Sequence, residues 1–206
     1  MQCPSRLAPL LFALTCATAL ACSSGSSTGS GAAAPAPAEA GPGGQPEGGA
    51  ALEDYVPDAA SFDCVKGAQW TQVGASVFKN VLGHTAEMLA VARSADGGVF
   101  PVGTVVQLVP QEASVKRGPG FSAASHDWEF FSLGVSDAGT TINTRGGNAA
   151  VLNAFGMSCL NCHGQAARQW DLLCGDVSGG NSHGCAPLPL AGPQLANLRA
   201  TDPRCP

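Results

Sequence analysis

The stretch Asp127-Trp128-Glu129-Phe130-Phe131-Ser132-Leu133-Gly134-Val135 says most about the fold of this 206-residue chain. Its aromatic and branched side chains favour a β-strand, in which alternate side chains point to opposite faces. Both faces are then apolar, with Trp128 and Phe130 on one and Phe131, Leu133 and Val135 on the other. Such a strand is buried on both sides, or lies against a large flat group.

The neighbouring sequence predicts partners for this strand. Asp137-Ala138-Gly139 has the composition of a turn, and Thr140 to Arg145 returns as a second strand, which makes a β-hairpin. Upstream, the valine-rich run from Val102 to Val109 is bounded by Pro101 and Pro110 and predicts another strand.

Weaker patterns predict the remaining elements. Gln69 to Leu82 favours a strand, and Thr85 to Arg93 favours a short helix. Asn148 can cap a helix that contains Val151, Leu152 and Phe155 and is closed by Gly156, and a last helix is expected at about Asn161 to Leu173. The sequence therefore predicts an α+β domain, mainly antiparallel β-sheet with flanking helices.

The clearest chemical motif is Cys159-Leu160-Asn161-Cys162-His163. Two thiols three positions apart, followed directly by a histidine, form the pattern for covalent attachment of a c-type haem. Each thiol adds across one vinyl group of the porphyrin. Thiols one helical turn apart can both reach the two vinyl groups. The His163 imidazole can then take the proximal position on the iron. One covalent haem c is the expected cofactor.

A zinc site is the first alternative. Cys159, Cys162 and His163 could combine with Cys174, Cys185 or His183, since the Cys-x-x-Cys spacing also occurs in zinc knuckles. A thioredoxin-like redox pair is disfavoured because no βαβ pattern surrounds the motif. The cellular compartment helps to separate these interpretations.

The first 21 residues have the layout of a signal peptide. Arg6 precedes an apolar run from Leu7 to Ala21, which is short for a membrane span. The end of the run resembles a bacterial lipoprotein signal, in which Cys22 becomes the lipid-modified first residue. We therefore expect an exported protein, anchored by lipid to a membrane and facing the periplasm or the cell surface.

A linker and one folded domain are expected after the signal. Residues 22–51 comprise Cys22 and a stretch of mainly Gly, Ala, Pro and Ser, which cannot bury enough apolar surface to fold. Residues 52–206 are long enough for one core. The net charge of −5 and the ten basic residues argue against nucleic acid as a partner.

Export also bears on the cysteines, because oxidising compartments permit disulfides. Four cysteines remain when the leader, Cys22 and the two cysteines of the motif are set aside. They are Cys64, Cys174, Cys185 and Cys205. Three pairings are possible. We favour Cys174–Cys185, which closes a small polar loop, and Cys64–Cys205, which ties the two ends of the domain together. The alternative is that some of these thiols stay free.

Three segments together resemble the cytochrome P-460 family, which includes the cytochromes c-prime of β type. They are Phe100 to Val106, Asp127 to Phe131, and Cys159 to His163. The resemblance implies a mainly antiparallel sheet, often in a homodimer, with one haem packed against it. It also implies a five-coordinate iron held by His163.

The named members of that family oxidise hydroxylamine and carry a lysine joined to the porphyrin. The corresponding stretch here is Gln107-Leu108, without lysine. Lys116 is the nearest lysine, and a solvated side chain is the favoured interpretation of it. The β-type relatives lack the lysine and bind small gases such as nitric oxide under an apolar cap, to which Leu108 and Phe130 are suited.

The resemblance thus implies an exported mono-haem c-type cytochrome that binds or converts nitric oxide, hydroxylamine or peroxide at an open iron. Two alternatives remain: an anchored electron carrier without substrate chemistry, whose redox partner is unknown, and a zinc or disulfide module without haem. A sixth iron ligand would favour the electron carrier. Several residues could act near the iron: His84, Met88, His126 or His183 as sixth ligand, Asp127, Glu129 or Lys116 in catalysis, and Arg117 or Arg145 on the propionates.

Overall fold

Six antiparallel strands form one sheet whose strand order follows the chain. The computed structural model describes residues 52–176, 182–188, 190 and 192–206, which all fall in one compact unit, Gly48–Pro206. The strands are β1 (Thr71–Val73), β2 (Ser76–Asn80), β3 (Thr104–Gln107), β4 (Glu112–Lys116), β5 (Trp128–Ser136) and β6 (Gly139–Gly146). The signal peptide, Cys22 and the linker were predicted for residues outside the described part.

Short helices surround the sheet. The α-helices are α1 (Thr85–Arg93), α2 (Cys159–His163) and α3 (Gly192–Ala200), and the 3₁₀ turns are Ala59–Ser61, Ala123–Ser125 and Arg168–Trp170. The predicted class, α+β with a mainly antiparallel sheet, is confirmed. No helix among the described residues is long and apolar enough to cross a membrane.

The sheet has two apolar faces, as the Trp128–Val135 stretch predicted. The Phe130 face carries Phe78, Val106, Trp128 and Phe130, which pack with Met88 of α1 and with Leu172 and Leu173. The Phe131 face carries Val77, Val105, Val115, Phe131 and Leu133, which pack with Phe62 and Val65. Adjacent residues of one strand thus belong to different cores.

The hairpin and α1 are confirmed. β5 and β6 pair from Phe130↔Gly146 to Ser136↔Gly139, and the helix spans Thr85–Arg93 as predicted. The strand predicted for Val102 to Val109 exists over Thr104–Gln107. The single strand predicted from Gln69 to Leu82 is instead the hairpin of β1 and β2, because the chain reverses at Gly74, whose φ is 57°.

Two predicted helices are wrong. After Asn148 the chain forms an irregular loop, since the Asn148 side chain accepts from Ala150 N and the Asn153 side chain accepts from Phe155 N and Met157 N. The last helix ends at His163, and the chain then turns through Arg168–Trp170. The strand β4, the helix α3 and the three 3₁₀ turns were not predicted.

Both favoured disulfides are confirmed. Cys64 pairs with Cys205, with 4.9 Å between the Cα atoms, and Cys174 pairs with Cys185, with 5.7 Å. The first joins the two ends of the described domain across 141 positions, and the second closes the loop that carries His183.

Candidate functional site

Helix α2 carries the cysteine motif in a single turn. Its N-cap is Ser158, whose hydroxyl accepts a hydrogen bond from Asn161 N at 3.3 Å. At its C-terminal end, Gly164 N donates to the carbonyls of Leu160 and Cys162. Residues three apart in a helix lie on the same side. Cys159 and Cys162 are therefore presented together.

The His163 ring is held in one orientation. Its Nδ1 lies 2.8 Å from the carbonyl oxygen of Leu172, and because a carbonyl can only accept, Nδ1 carries the proton. Burial lowers the pKa of His163, although the hydrogen bond to Leu172 opposes this. The neutral ring therefore keeps its Nε2 lone pair for a metal, and a hydrogen bond from the other ring nitrogen to a carbonyl is typical of metal-bound histidines.

The motif opens onto a cavity of about 70 Å³ against the Phe130 face. Cys159, Cys162 and His163 all contribute to its wall, and the His163 and Phe130 rings are 5.0 Å apart. The two predicted pocket residues, Leu108 and Phe130, line it too. The other apolar side chains of the wall include Val106, Leu173 and Leu188.

Among the six cysteines of the described residues, Cys159 and Cys162 are the free ones. Burial, with Glu112 and Cys162 adding to it, raises the pKa of the Cys159 thiol to about 12. Burial, and then Glu112, also raises the pKa of Cys162. Both groups are protonated thiols at neutral pH.

Glu112 is a residue of the cavity that sequence reasoning missed. It begins β4 and its Oε1 accepts from Ala154 N at 3.0 Å. Burial raises the pKa of its carboxyl, while the hydrogen bond from Ala154 opposes the rise. The alternation of Ala113 and Val115 with polar residues could have identified β4 and shown that Glu112 and Ser114 share a face.

Neither predicted catalytic candidate lines this cavity. Lys116 is buried, not solvated as expected, and its Nζ lies 2.7 Å from Asp171. Glu129 points to the Phe131 face, where its carboxylate meets Arg117 and Arg145, each at 2.6 Å. Both arginines suggested for the propionates are therefore engaged with a protein carboxylate.

The four candidates for a sixth iron ligand lie elsewhere. His84 is 3.1 Å from Glu53, and Met88, a residue of α1, is fully buried. His126 lies 3.7 Å from Asp171. His183 stacks on Trp170 at 3.6 Å and lines a neighbouring cavity of about 450 Å³. Asp127, the other acid considered, accepts from Ser122 N.

The zinc alternative loses two of its ligands, because Cys174 and Cys185 are joined to each other. Within the part of the chain that the structure describes, no group of three or more His, Cys, Asp or Glu side chains is placed to hold a metal ion. A single histidine can still hold an iron that a porphyrin supplies with its other ligands.

Comparison of the chain with models of known families, with curated proteins and with solved structures finds no match. The function is therefore argued from the fold and from the residues of this cavity.

Proposed function

We propose that this protein is an exported mono-haem c-type cytochrome of the cytochrome P-460 type, which binds or converts a small ligand at an open iron. One observation carries the proposal: the two free thiols and His163 line one apolar cavity against the sheet. Cys159 and Cys162 would attach the haem, and His163 Nε2 would hold its iron. Bound haem would supply an iron whose other side is available to nitric oxide, hydroxylamine or peroxide.

The wall of the cavity suits such a group. The flat apolar surface of a porphyrin would lie against Val106, Leu108 and Phe130, while Glu112 and Ser114 add polar groups to the same wall. Because its pKa is raised, Glu112 keeps a proton to a higher pH than an ordinary glutamate and can hold it beside a bound ligand.

Ligand binding is better supported than simple electron transfer. Among the residues that the structure describes, His163 is the only histidine of this cavity wall, and no methionine belongs to it. This wall would therefore supply His163 and no second histidine or methionine to a bound haem iron, which favours binding of external ligands. Hydroxylamine oxidation is the less favoured reaction, because Leu108 and not a lysine faces the cavity and Lys116 is paired with Asp171.

An absorption spectrum of protein that was exported and matured with the haem-attachment machinery tests the proposal. We expect haem that stays attached in a denaturing gel, a high-spin ferrous spectrum, and a clear change on adding carbon monoxide. A low-spin spectrum indifferent to carbon monoxide would instead support the electron carrier. A colourless polypeptide that binds zinc through Cys159 and Cys162 would refute the haem.

Anchoring and assembly belong to the same proposal. A lipid on Cys22 would hold the domain at a membrane through the linker, and a homodimer is the assembly that the family resemblance suggests. Mass analysis of the mature N-terminus and sedimentation of the detergent-solubilised protein test these two points.

A further inference from the structure

The chain makes an unusual turn directly after the Trp170 region. Asp171 and Leu172 both have left-handed backbone angles, with φ of 49° and 57°. Neither residue is glycine, and a side chain in this conformation crowds its own backbone. Such a turn persists only where surrounding contacts hold it.

A buried ion pair supplies those contacts. Lys116 and Asp171 are only 6% and 3% exposed, and Lys116 Nζ lies 2.9 and 2.7 Å from the two carboxylate oxygens. The same ammonium group donates to the His126 carbonyl at 2.7 Å. The Asp171 carboxylate also accepts from Phe100 N at 3.0 Å, and the Asp171 carbonyl accepts from Trp128 Nε1 at 2.6 Å.

The turn matters because it places the carbonyl group of Leu172 beside the His163 ring. The carbonyl oxygen of Leu172, the residue after Asp171, accepts a hydrogen bond from Nδ1 of His163 at 2.8 Å. A carbonyl that accepts this proton sets the tautomer and the ring orientation, and it makes the imidazole a stronger donor to a metal. If the turn relaxed, the carbonyl would move away from the ring.

We propose that the Lys116–Asp171 pair is a positioning device for His163, which holds the left-handed turn so that the Leu172 carbonyl aims and strengthens the iron ligand. The inference rests on the proposed function, because it concerns the residue that would bind iron. It assigns a role to a buried pair on the Phe130 face that the cavity itself does not use.

The test uses haem-loaded, full-length protein and the Asp171→Asn variant. The neutral amide weakens the hold of Lys116 on the turn, so the Leu172 carbonyl accepts less strongly from His163. We expect the iron–histidine stretching frequency of the ferrous protein to fall, and the reduction potential to rise, since a weaker donor stabilises ferric iron less. Trp128→Phe, which removes the donor to the Asp171 carbonyl and keeps an aromatic ring in the core, should shift both readouts in the same direction by less.

Asp202→Asn is the matched control. Asp202 is also 3% exposed, pairs with the Arg204 side chain at 2.8 Å and accepts from a backbone N–H, that of Val65, but it does not touch the turn. It should lower stability and leave the frequency and the potential unchanged. Wild-type values in Asp171→Asn, or equal shifts in Asp171→Asn and Asp202→Asn, would overturn the inference while the haem proposal stands.

The two proposals can fail separately. Wild-type protein without covalent haem refutes the proposed function before any variant is made, and the inference is then refuted with it. Should Asp171→Asn not fold, Trp128→Phe decides the question with the same two measurements.

Discussion

Phe130 and Phe131 are neighbours in β5, yet the two faces of the sheet on which they lie are built differently. On the Phe131 face the Phe131 and Phe62 rings are 4.8 Å apart. Phe62 and Val65 cover the strands there, next to the Cys64–Cys205 disulfide. On the Phe130 face the ring meets His163 and lines a cavity with two free thiols. The Phe131 face is covered by a filled core, whereas part of the Phe130 face borders the cavity that holds the cysteine motif.

The largest effect should come from the two free thiols. We expect the double variant Cys159→Ser/Cys162→Ser to lose covalent haem completely, since serine cannot form the thioether links. Haem staining of a denaturing gel measures this. The double variant Cys64→Ser/Cys205→Ser, on the other face, is the control and should keep its haem. Equal staining in both variants would contradict the proposed attachment.

The two disulfides give the next largest effect, on stability. Loss of the Cys64–Cys205 link, which spans 141 positions, should lower the free energy of unfolding by about 5 kcal/mol. Loss of the Cys174–Cys185 link, which spans 11, should lower it by about 3 kcal/mol, because the shorter loop restricts the unfolded chain less. Urea unfolding of the two double serine variants compares them. The reverse order would show that native-state contacts, not loop length, dominate.

The two phenylalanines sharpen the contrast directly. Phe131→Ala should cost about 3–5 kcal/mol, as expected for a ring in a filled core, and leave ligand binding unchanged. Phe130→Ala should cost less, because its ring faces a cavity, but should change the release rate of carbon monoxide. Urea unfolding and flash photolysis are the measurements. If the release rate of carbon monoxide responded only to Phe131→Ala, the ligand would bind on the Phe131 face, which would contradict the proposed site.

The smallest effect concerns Glu112 and pH. Burial raises the pKa of its carboxyl, so just above the ordinary value of 4.5 the folded state binds more protons than the unfolded state. The free energy of unfolding then falls as pH rises through the window between the two pKa values. Glu112→Gln keeps the oxygen that accepts from Ala154 but removes this fall, so its stability relative to wild type should increase from pH 4 to pH 7. Parallel unfolding curves at both pH values would argue against a buried carboxyl.

Part of this structure could be predicted because the signal is local. The alternating apolar residues from Trp128 to Val135 determine β5 and its two buried faces, and the turn at Asp137 to Gly139 determines the hairpin. The disulfides could be favoured from parity and loop composition. The free thiols and His163 come from one short motif.

Other features could not be predicted from the spacing of apolar residues. A helix after Asn148 has suitable apolar spacing, but Asn148 and Asn153 bond locally to the backbone and favour a loop. The left-handed turn at Asp171 is held by Lys116, 55 positions earlier. Glu112 enters the cavity only because β4 pairs with β5. The alternation along β4 indicates which residues share a face with Glu112, but it does not show which strand β4 pairs with, and the bonds of Asn148, Asn153 and Asp171 leave no periodic pattern.

The Cys64–Cys205 link also has a mechanical consequence. A force applied through the chain before residue 64 and after residue 205 would pass along a covalent bond between points whose Cα atoms are 4.9 Å apart. The sheet would carry almost none of that load. Pulling on both ends of the molecule should therefore leave the six strands intact until the sulfur–sulfur bond is reduced.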